Sequence, residues 1–271
     1  MGTASVRHPA VSGQFYPQNP DRLRAEIESF TAVGRPAIHA LGCVAPHAGY
    51  IYSGHVAGAL YARVELPEIF IIMCPNHTGM GTPLAIMSEG QWETPLGNVG
   101  LNPDLAGELK SRCSLLSEDA GAHRYEHAVE VQLPFLQTRL THFTFVPIAV
   151  GTSRLEALES LGNAIAKTVA PLGKRVLIIA SSDMNHYESD SITRRKDQRA
   201  IERMMALDAR GLYQVVTREG ISMCGYGPAV AMLTAANVLG ARSAELVKYA
   251  TSGDVSGDRD TVVGYAGIAV S

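Results

Sequence analysis

His47, His77, Asp183, His186 and Cys224 are the side chains whose types and placement in this sequence suit the binding of a transition metal. Ligands of open α/β sheets collect beyond the carboxyl ends of the strands, where loops converge. Three apolar runs end in this kind of residue. Cys43-Val44-Ala45-Pro46 delivers His47, and Ile71-Ile72-Met73-Cys74-Pro75-Asn76 delivers His77. Ile178-Ile179-Ala180-Ser181-Ser182 delivers Asp183, with His186 three residues on. Cys224 arrives differently, in Met223-Cys224-Gly225-Tyr226-Gly227-Pro228 at the start of an Ala-rich helix. The positive end of a helix dipole favours thiolate, the form that binds metal or attacks an electrophile. Taken singly, each residue has a plainer explanation: a hydrogen-bonded loop histidine, a capping aspartate, a small buried thiol. Their recurrence at equivalent strand ends is what points to a site.

The elements that must position these residues follow from periodicity. Strands are expected at Leu41–Ala45, Ile69–Cys74, Leu84–Ser88, Phe143–Val150, Val176–Ser181, Glu245–Thr251 and Val262–Val270. Several are almost wholly apolar, as in strands covered on both faces. Helices are expected at Asp21–Phe30, His55–Tyr61, Pro103–Ser111, Glu126–Leu140, Arg154–Ala170, Thr193–Met205, Asp208–Arg218 and Pro228–Leu239. Asn102-Pro103 and Ser153 provide starts, and Gly240 provides a stop. The alternation implies a three-layer αβα sandwich. Trp92-Glu93-Thr94-Pro95-Leu96-Gly97 reads as a strand entering a turn, which makes the central sheet mixed. With no linker or repeat, residues 1–271 read as a single domain.

The chain has 271 residues, 46% of them hydrophobic and 18% charged, with a formal net charge of −3. That composition can bury a sizeable core and gives no electrostatic reason to expect nucleic acid or an anionic membrane as partner. No run approaches the ~18–20 apolar residues of a membrane span. The amino-terminal MGTASVRHPAVSGQFYP has no apolar core of the secretory kind, and Gly2 lacks the basic cluster that would support lipidation. Cys43, Cys74, Cys113 and Cys224 form no CxxC pair, so free thiols in the cytoplasm are expected.

Two further patterns bear on the site. Gly225-Tyr226-Gly227-Pro228-Ala229-Val230 imitates a dinucleotide fingerprint but has Val230 where the third glycine belongs. Glu126-His127-Ala128-Val129-Glu130 puts two acids on one face of the expected helix, either as residues welcome at a helix start or with Glu130 or His127 orienting a metal ligand from behind.

Beyond these patterns, the chain resembles the Memo family (mediator of ErbB-driven cell motility), whose prokaryotic members are called AmmeMemoRadiSam system protein B. The resemblance runs nearly end to end through Val6-Arg7, Ser12-Gly13-Gln14-Phe15-Tyr16, Ala45-Pro46-His47-Ala48-Gly49-Tyr50 and Pro75-Asn76-His77. It continues through Glu126-His127-Ala128-Val129-Glu130, Leu133-Pro134-Phe135, Ser181-Ser182-Asp183 with His186, Cys224-Gly225 and Tyr265-Ala266-Gly267. It implies a fold like the class III extradiol dioxygenases, the LigB-like proteins that hold Fe(II) with two histidines and a glutamate. By that resemblance His47 and His77 are metal ligands, Cys224 replaces the carboxylate, and His186 with Asp183 handles protons. Tyr16, with Phe15 beside it, and Tyr50 would line the ligand pocket. A His/His/Cys set is softer than two histidines and a carboxylate and suits iron or copper in redox work, or zinc. The catechol-cleaving reaction is therefore not carried over.

Three readings compete. The chain is a metal-dependent redox protein. Alternatively, it is a non-enzymatic module that uses the pocket for a peptide or a partner protein, the family name suggesting AMMECR-type and radical SAM proteins; a small-molecule or peptide ligand is expected in the pocket. In the third, it is a hydrolase with Cys224 as nucleophile and His186 as base. Homo-oligomerisation is left open.

Overall fold

A computed structural model describes residues 5–31 and 36–271; Gly2 lies outside them. In chain order the elements are β1 (Val6–Arg7), α1 (Pro20–Phe30), β2 (Gly42–Ala45), α2 (Tyr50–Arg63), β3 (Ile69–Pro75), β4 (Leu84–Ile86), β5 (Gln91–Thr94) and β6 (Gly97–Gly100). There follow α3 (Pro103–Arg112), β7 (Ser117–Glu118), α4 (Leu133–Gln137), β8 (Thr144–Val150), α5 (Leu155–Val169), β9 (Val176–Ser181) and β10 (His186–Glu188). The chain ends with α6 (Asp190–Met205), α7 (Ala209–Glu219), α8 (Tyr226–Val238), β11 (Ala244–Thr251), α9 (Gly253–Ser256) and β12 (Val262–Val270).

The large sheet runs β10-β12-β2-β9-β3-β8-β4-β7, with β11 also paired to β12. Its centre, β2-β9-β3-β8, is parallel. Successive side chains of a strand point to opposite faces, and here both faces are covered. Val44, Ile71, Met73, Ile178 and Ala180 pack with α3, α5, α7 and α8. Cys43, Ala45, Phe70, Ile72, Cys74, Leu177 and Ile179 pack with α1, α2 and α4. The architecture is thus the expected mixed α/β sandwich with helices on both sides.

Two local readings need correction. The sheet is mixed because β12 runs antiparallel to β2 and β4 antiparallel to β8. The Trp92 strand instead forms a separate sheet, β1-β5-β6. Nor is Glu126–Leu140 one helix: residues up to Val129 are irregular, a 3-10 turn covers Glu130–Gln132, and only Leu133–Gln137 is α-helical. The Glu126 carboxylate folds back onto the Ala128 amide and is held by the His77 amide and ring, which ties this stretch to the end of β3 and takes it off any helix surface. Glu126 and Glu130 therefore share no helix face.

Candidate metal centre

Strands β2, β9 and β3 are neighbours, so the residues leaving their carboxyl ends are brought side by side. His47 follows β2, Asp183 follows β9 and His77 follows β3. Cys224 comes in on the turn before α8. That turn can approach only because residue 225 is glycine: a Cβ there would stand 2.3 Å from the Ser181 carbonyl oxygen. The Gly225 amide then bonds Ser182 Oγ at 3.0 Å. One donor atom from each of His47, His77 and Cys224 lies within 4.8 Å of the others.

The protonation of His47 can be read from its partners. The Ser181 hydroxyl spends its one proton on the Ala128 carbonyl, 2.6 Å away. It accepts from Gln132 Nε2 at 2.8 Å and meets His47 Nδ1 at 2.9 Å. Gln132 is itself fixed, because its Nε2 also donates to the Pro46 carbonyl and its Oε1 accepts from Tyr61. Ser181 can therefore only accept from His47, so Nδ1 carries the proton and Nε2 presents a lone pair. Cys224 Sγ lies 3.2 Å from that Nε2. Burial first, and then His77, hold the His47 imidazole down at about 3, so it is neutral as a ligand must be.

His77 is oriented by Glu126, a fully buried carboxylate. Glu126 accepts the His77 amide at 2.6 Å and His77 Nδ1 at 2.9 Å, leaving Nε2 of this ring free as well. Burial pushes the Glu126 carboxyl up, but the bonds from His77 and the Ala128 amide outweigh it and hold it at about 2. The same contact raises His77 against the pull of burial. The charge sits behind the His77 ring, away from its free Nε2.

Asp183 is buried, and its Oδ1 accepts the His47 amide at 2.7 Å, while Oδ2 stands 4.0 Å from His47 Nε2. Burial raises its carboxyl despite the backbone bonds it receives. Cys224 departs from the helix-dipole expectation: burial and then the Asp183 charge raise its thiol. In the metal-free chain it is a thiol lying near a histidine lone pair, and thiolate requires a cation to displace the proton.

These residues open into a cavity of about 560 Å³ whose wall includes Phe15, His47, His77, His127, Asp183, His186, Tyr187, Cys224 and Tyr265. His127 stacks on His77 with ring centroids 4.8 Å apart and stands edge-on to His47. Burial and the neighbouring imidazoles hold it down at about 4. His77, Glu126 and His127 form a second close donor group, though Glu126 already spends both oxygens on His77.

Three expected residues stand elsewhere. Glu130 touches no histidine of the cavity. It accepts from the Ala10 and Val11 amides, the Tyr16 hydroxyl and the buried Arg7 guanidinium. Tyr16 is thus turned toward Glu130, and Tyr50 is buried with its hydroxyl on the Val131 carbonyl at 2.6 Å. Neither lines the cavity; Phe15 does. Residues the sequence reading passed over are Ser181, Gln132 and the orienting role of Glu126. Glu126 had a signal, being an acid beside His127 in a stretch rich in ligand types.

An αβα sandwich in which two histidines from parallel strand ends meet a cysteine on the turn before α8 describes the class of protein. Residues 7–269 match the model for Memo-like proteins. The chain is 45% identical over 267 residues to a MEMO1 family protein of Methanosarcina barkeri, covering 98% of this chain and 100% of that one. It is 43% identical over 276 residues to another from Methanopyrus kandleri, covering 97% and 98%. The chain belongs to the Memo family. An uncharacterized Escherichia coli K12 protein of solved structure superposes with a TM-score of 0.53 over 84% of this chain and 98% of its own, at 11% identity, a likeness of fold alone.

Proposed function

We propose that this chain is a metal-dependent redox protein that holds iron or copper through His47 Nε2, His77 Nε2 and Cys224 Sγ. The observation that carries this reading is the disposition of protons. Both histidines have Nδ1 engaged, one at Ser181 and the other at Glu126, which leaves two Nε2 lone pairs beside a thiol 3.2 Å from one of them. Donors around an ion with bonds of ~2.0–2.3 Å sit roughly 3.5 Å apart; the 3.2 Å between His47 Nε2 and Cys224 Sγ is close to that value, and all three donors lie within 4.8 Å of one another. The donor set fits a borderline or soft cation, which when bound supplies one-electron chemistry and a Lewis-acidic centre.

The chain's own residues do the rest. His186 holds Nδ1–H on the Ser222 carbonyl at 2.8 Å, so its Nε2 can take a proton from a bound ligand. Asp183, raised by burial, steadies the His47 amide and can share a proton nearby. Phe15, Tyr187 and Tyr265 give the cavity an aromatic wall for a small molecule or the side chain of a peptide. No described helix is long and apolar enough to cross a membrane. A cytoplasmic setting, which keeps thiols reduced, and partnership with AMMECR-type or radical SAM proteins belong to this proposal. So does the working of residues 1–271 as one domain.

The test is metal content by mass spectrometry after anaerobic loading with Fe(II), Cu(I) or Zn(II). Wild type should retain one equivalent of a redox metal; His47→Ala and Cys224→Ser should not. Equal, negligible metal in all three would sink the proposal.

A further inference from the structure

We infer that Asn185, anchored by Asp197, is a positioning residue that decides which nitrogen of His186 faces the cavity. The inference rests on reading His186 as the proton-handling group, but it concerns how that group is aimed.

His186 and Ser222 meet at the water-exposed mouth of the cavity. The His186 amide donates to Ser222 Oγ at 2.8 Å, and His186 Nδ1 lies 2.8 Å from the Ser222 carbonyl oxygen. A carbonyl only accepts, so Nδ1 carries the proton and Nε2 is the free base. Water competes for such bonds at an exposed site, and alone they would not hold one tautomer. Next to them, Tyr187 is three-quarters exposed and has φ +60°. Its ring stands edge-on to that of His186 with centroids 5.5 Å apart, a contact that does not choose between the two nitrogens.

The explanation lies one layer deeper. Asn185 is fully buried, and its Oδ1 accepts both the Ser222 amide and the Ser222 hydroxyl at 3.1 Å. Its Nδ2 donates to Glu188 at 2.8 Å and faces Thr193 Oγ1 at 3.3 Å, which fixes the amide against flipping. Its own amide donates to Asp197 Oδ1 at 2.8 Å, and its carbonyl accepts the Gly264 amide at 2.9 Å. All of its polar groups are engaged.

Asp197 is equally buried and takes the Tyr249 hydroxyl on Oδ2 at 2.7 Å. It can sit there because residue 264 has no side chain: a Cβ would stand 1.8 Å from Oδ2. α6, β11 and β12 thus converge on Asp197, Asp197 holds Asn185, Asn185 holds Ser222, and Ser222 selects the His186 tautomer. None of these links touches the candidate metal ligands.

A residue that merely stabilised the fold would leave the tautomer alone, so the tautomer is the readout. The full chain, metal-free, is labelled with 15N-histidine, and long-range proton–nitrogen correlations are recorded at a pH where His186 is neutral, with His186→Gln for assignment. Wild type should show the Nδ1–H form. Asn185→Ala, and Ser222→Ala as the rim variant least able to disturb folding, should move the ratio toward Nε2–H by about fivefold, the loss expected of one neutral hydrogen bond. Asp197→Asn keeps an acceptor for the Asn185 amide and should retain the wild-type form. A folded Ser222→Ala or Asn185→Ala protein with an unchanged ratio overturns the inference. Metal titration of the same samples separates the two proposals: wild type that binds no metal yet shows this tautomer dependence refutes the metal reading and supports this one.

Discussion

Glu126→Gln isolates the orienting carboxylate from the ligands it serves. In the wild type, one Glu126 oxygen accepts His77 Nδ1 and the Ala128 amide, and the other accepts the His77 amide. A glutamine can place its oxygen on only one side, so its NH2 must confront at least one buried N–H. Lost charge-assisted bonds and an unsatisfied buried donor together cost about 3 kcal/mol. At roughly 2–4 °C per kcal/mol for a protein of this size, the melting temperature should fall by about 6–12 °C. Freed from its carboxylate, the His77 ring also loses orientation and basicity, and metal affinity should drop about 10–100-fold. The assays are thermal unfolding of the metal-free protein and chelator competition for the bound metal. Glu130→Gln is the control. It breaks the buried Arg7 contact and should destabilise to a similar degree, yet leave affinity within about twofold because Glu130 touches no ligand. A Glu126→Gln protein with wild-type affinity, or a Glu130→Gln protein that loses affinity equally, would refute the assignment of the orienting role.

Other outcomes follow from single features. Burial raises the Asp197 carboxyl to about 7, with Tyr249, Arg194 and Glu188 as its polar or charged surroundings. A raised acid favours the folded state only while protonated, so its penalty grows from pH 4 to 7. Asp197→Asn should therefore gain stability at pH 8 by up to about 4 kcal/mol, with the gain vanishing near pH 4 in denaturant titrations. Tyr187→Gly relieves a left-handed conformation worth about 1 kcal/mol while removing the ring that stands edge-on to His186; urea unfolding should register the sum as a change smaller than a core substitution. Gly225→Ala drives a Cβ toward the Ser181 carbonyl and should cost about 1–3 kcal/mol, with metal affinity falling alongside. Cys43, Cys74 and Cys113 are buried, and Cys224 is half-buried with its thiol raised by burial and by Asp183, so the native metal-free chain should react with iodoacetamide slowly and at Cys224 alone, as read by mass spectrometry; labelling of Cys74 would contradict the packing of β3.

The apolar runs ending at Ala45, Pro75 and Ser181 were legible because a doubly covered parallel strand needs continuous hydrophobic sequence, and the polar residue after it marks the sheet's edge. Helices with proline starts and asparagine caps were legible for the same local reason. The 126–137 stretch was not. Its residues have helical spacing, but Glu126 and Glu130 are claimed by partners about 50 and 120 residues away, and tertiary bonds of that reach leave no periodic trace. Tyr16 and Tyr50 misled in a similar way: an aromatic beside a ligand motif looks like a wall, yet the preceding residue, Phe15, faces the cavity. Ser181 and Gln132 fix the His47 tautomer through contacts that only the assembled sheet creates.

The adjacency of β2, β9 and β3 has a kinetic side. The donors His47 and Cys224 are 177 positions apart in the chain, and no sub-segment contains a complete set. Parallel pairing is non-local and slow to form, so a nascent or half-folded chain offers only isolated histidines and thiols, which bind metal weakly and exchange it freely. On the proposed metal reading, tight capture would become available only once β2, β9, β3 and the turn before α8 are assembled. Metal retention in this protein would therefore act as a timer, reporting the completion of the whole topology rather than the arrival of any one ligand.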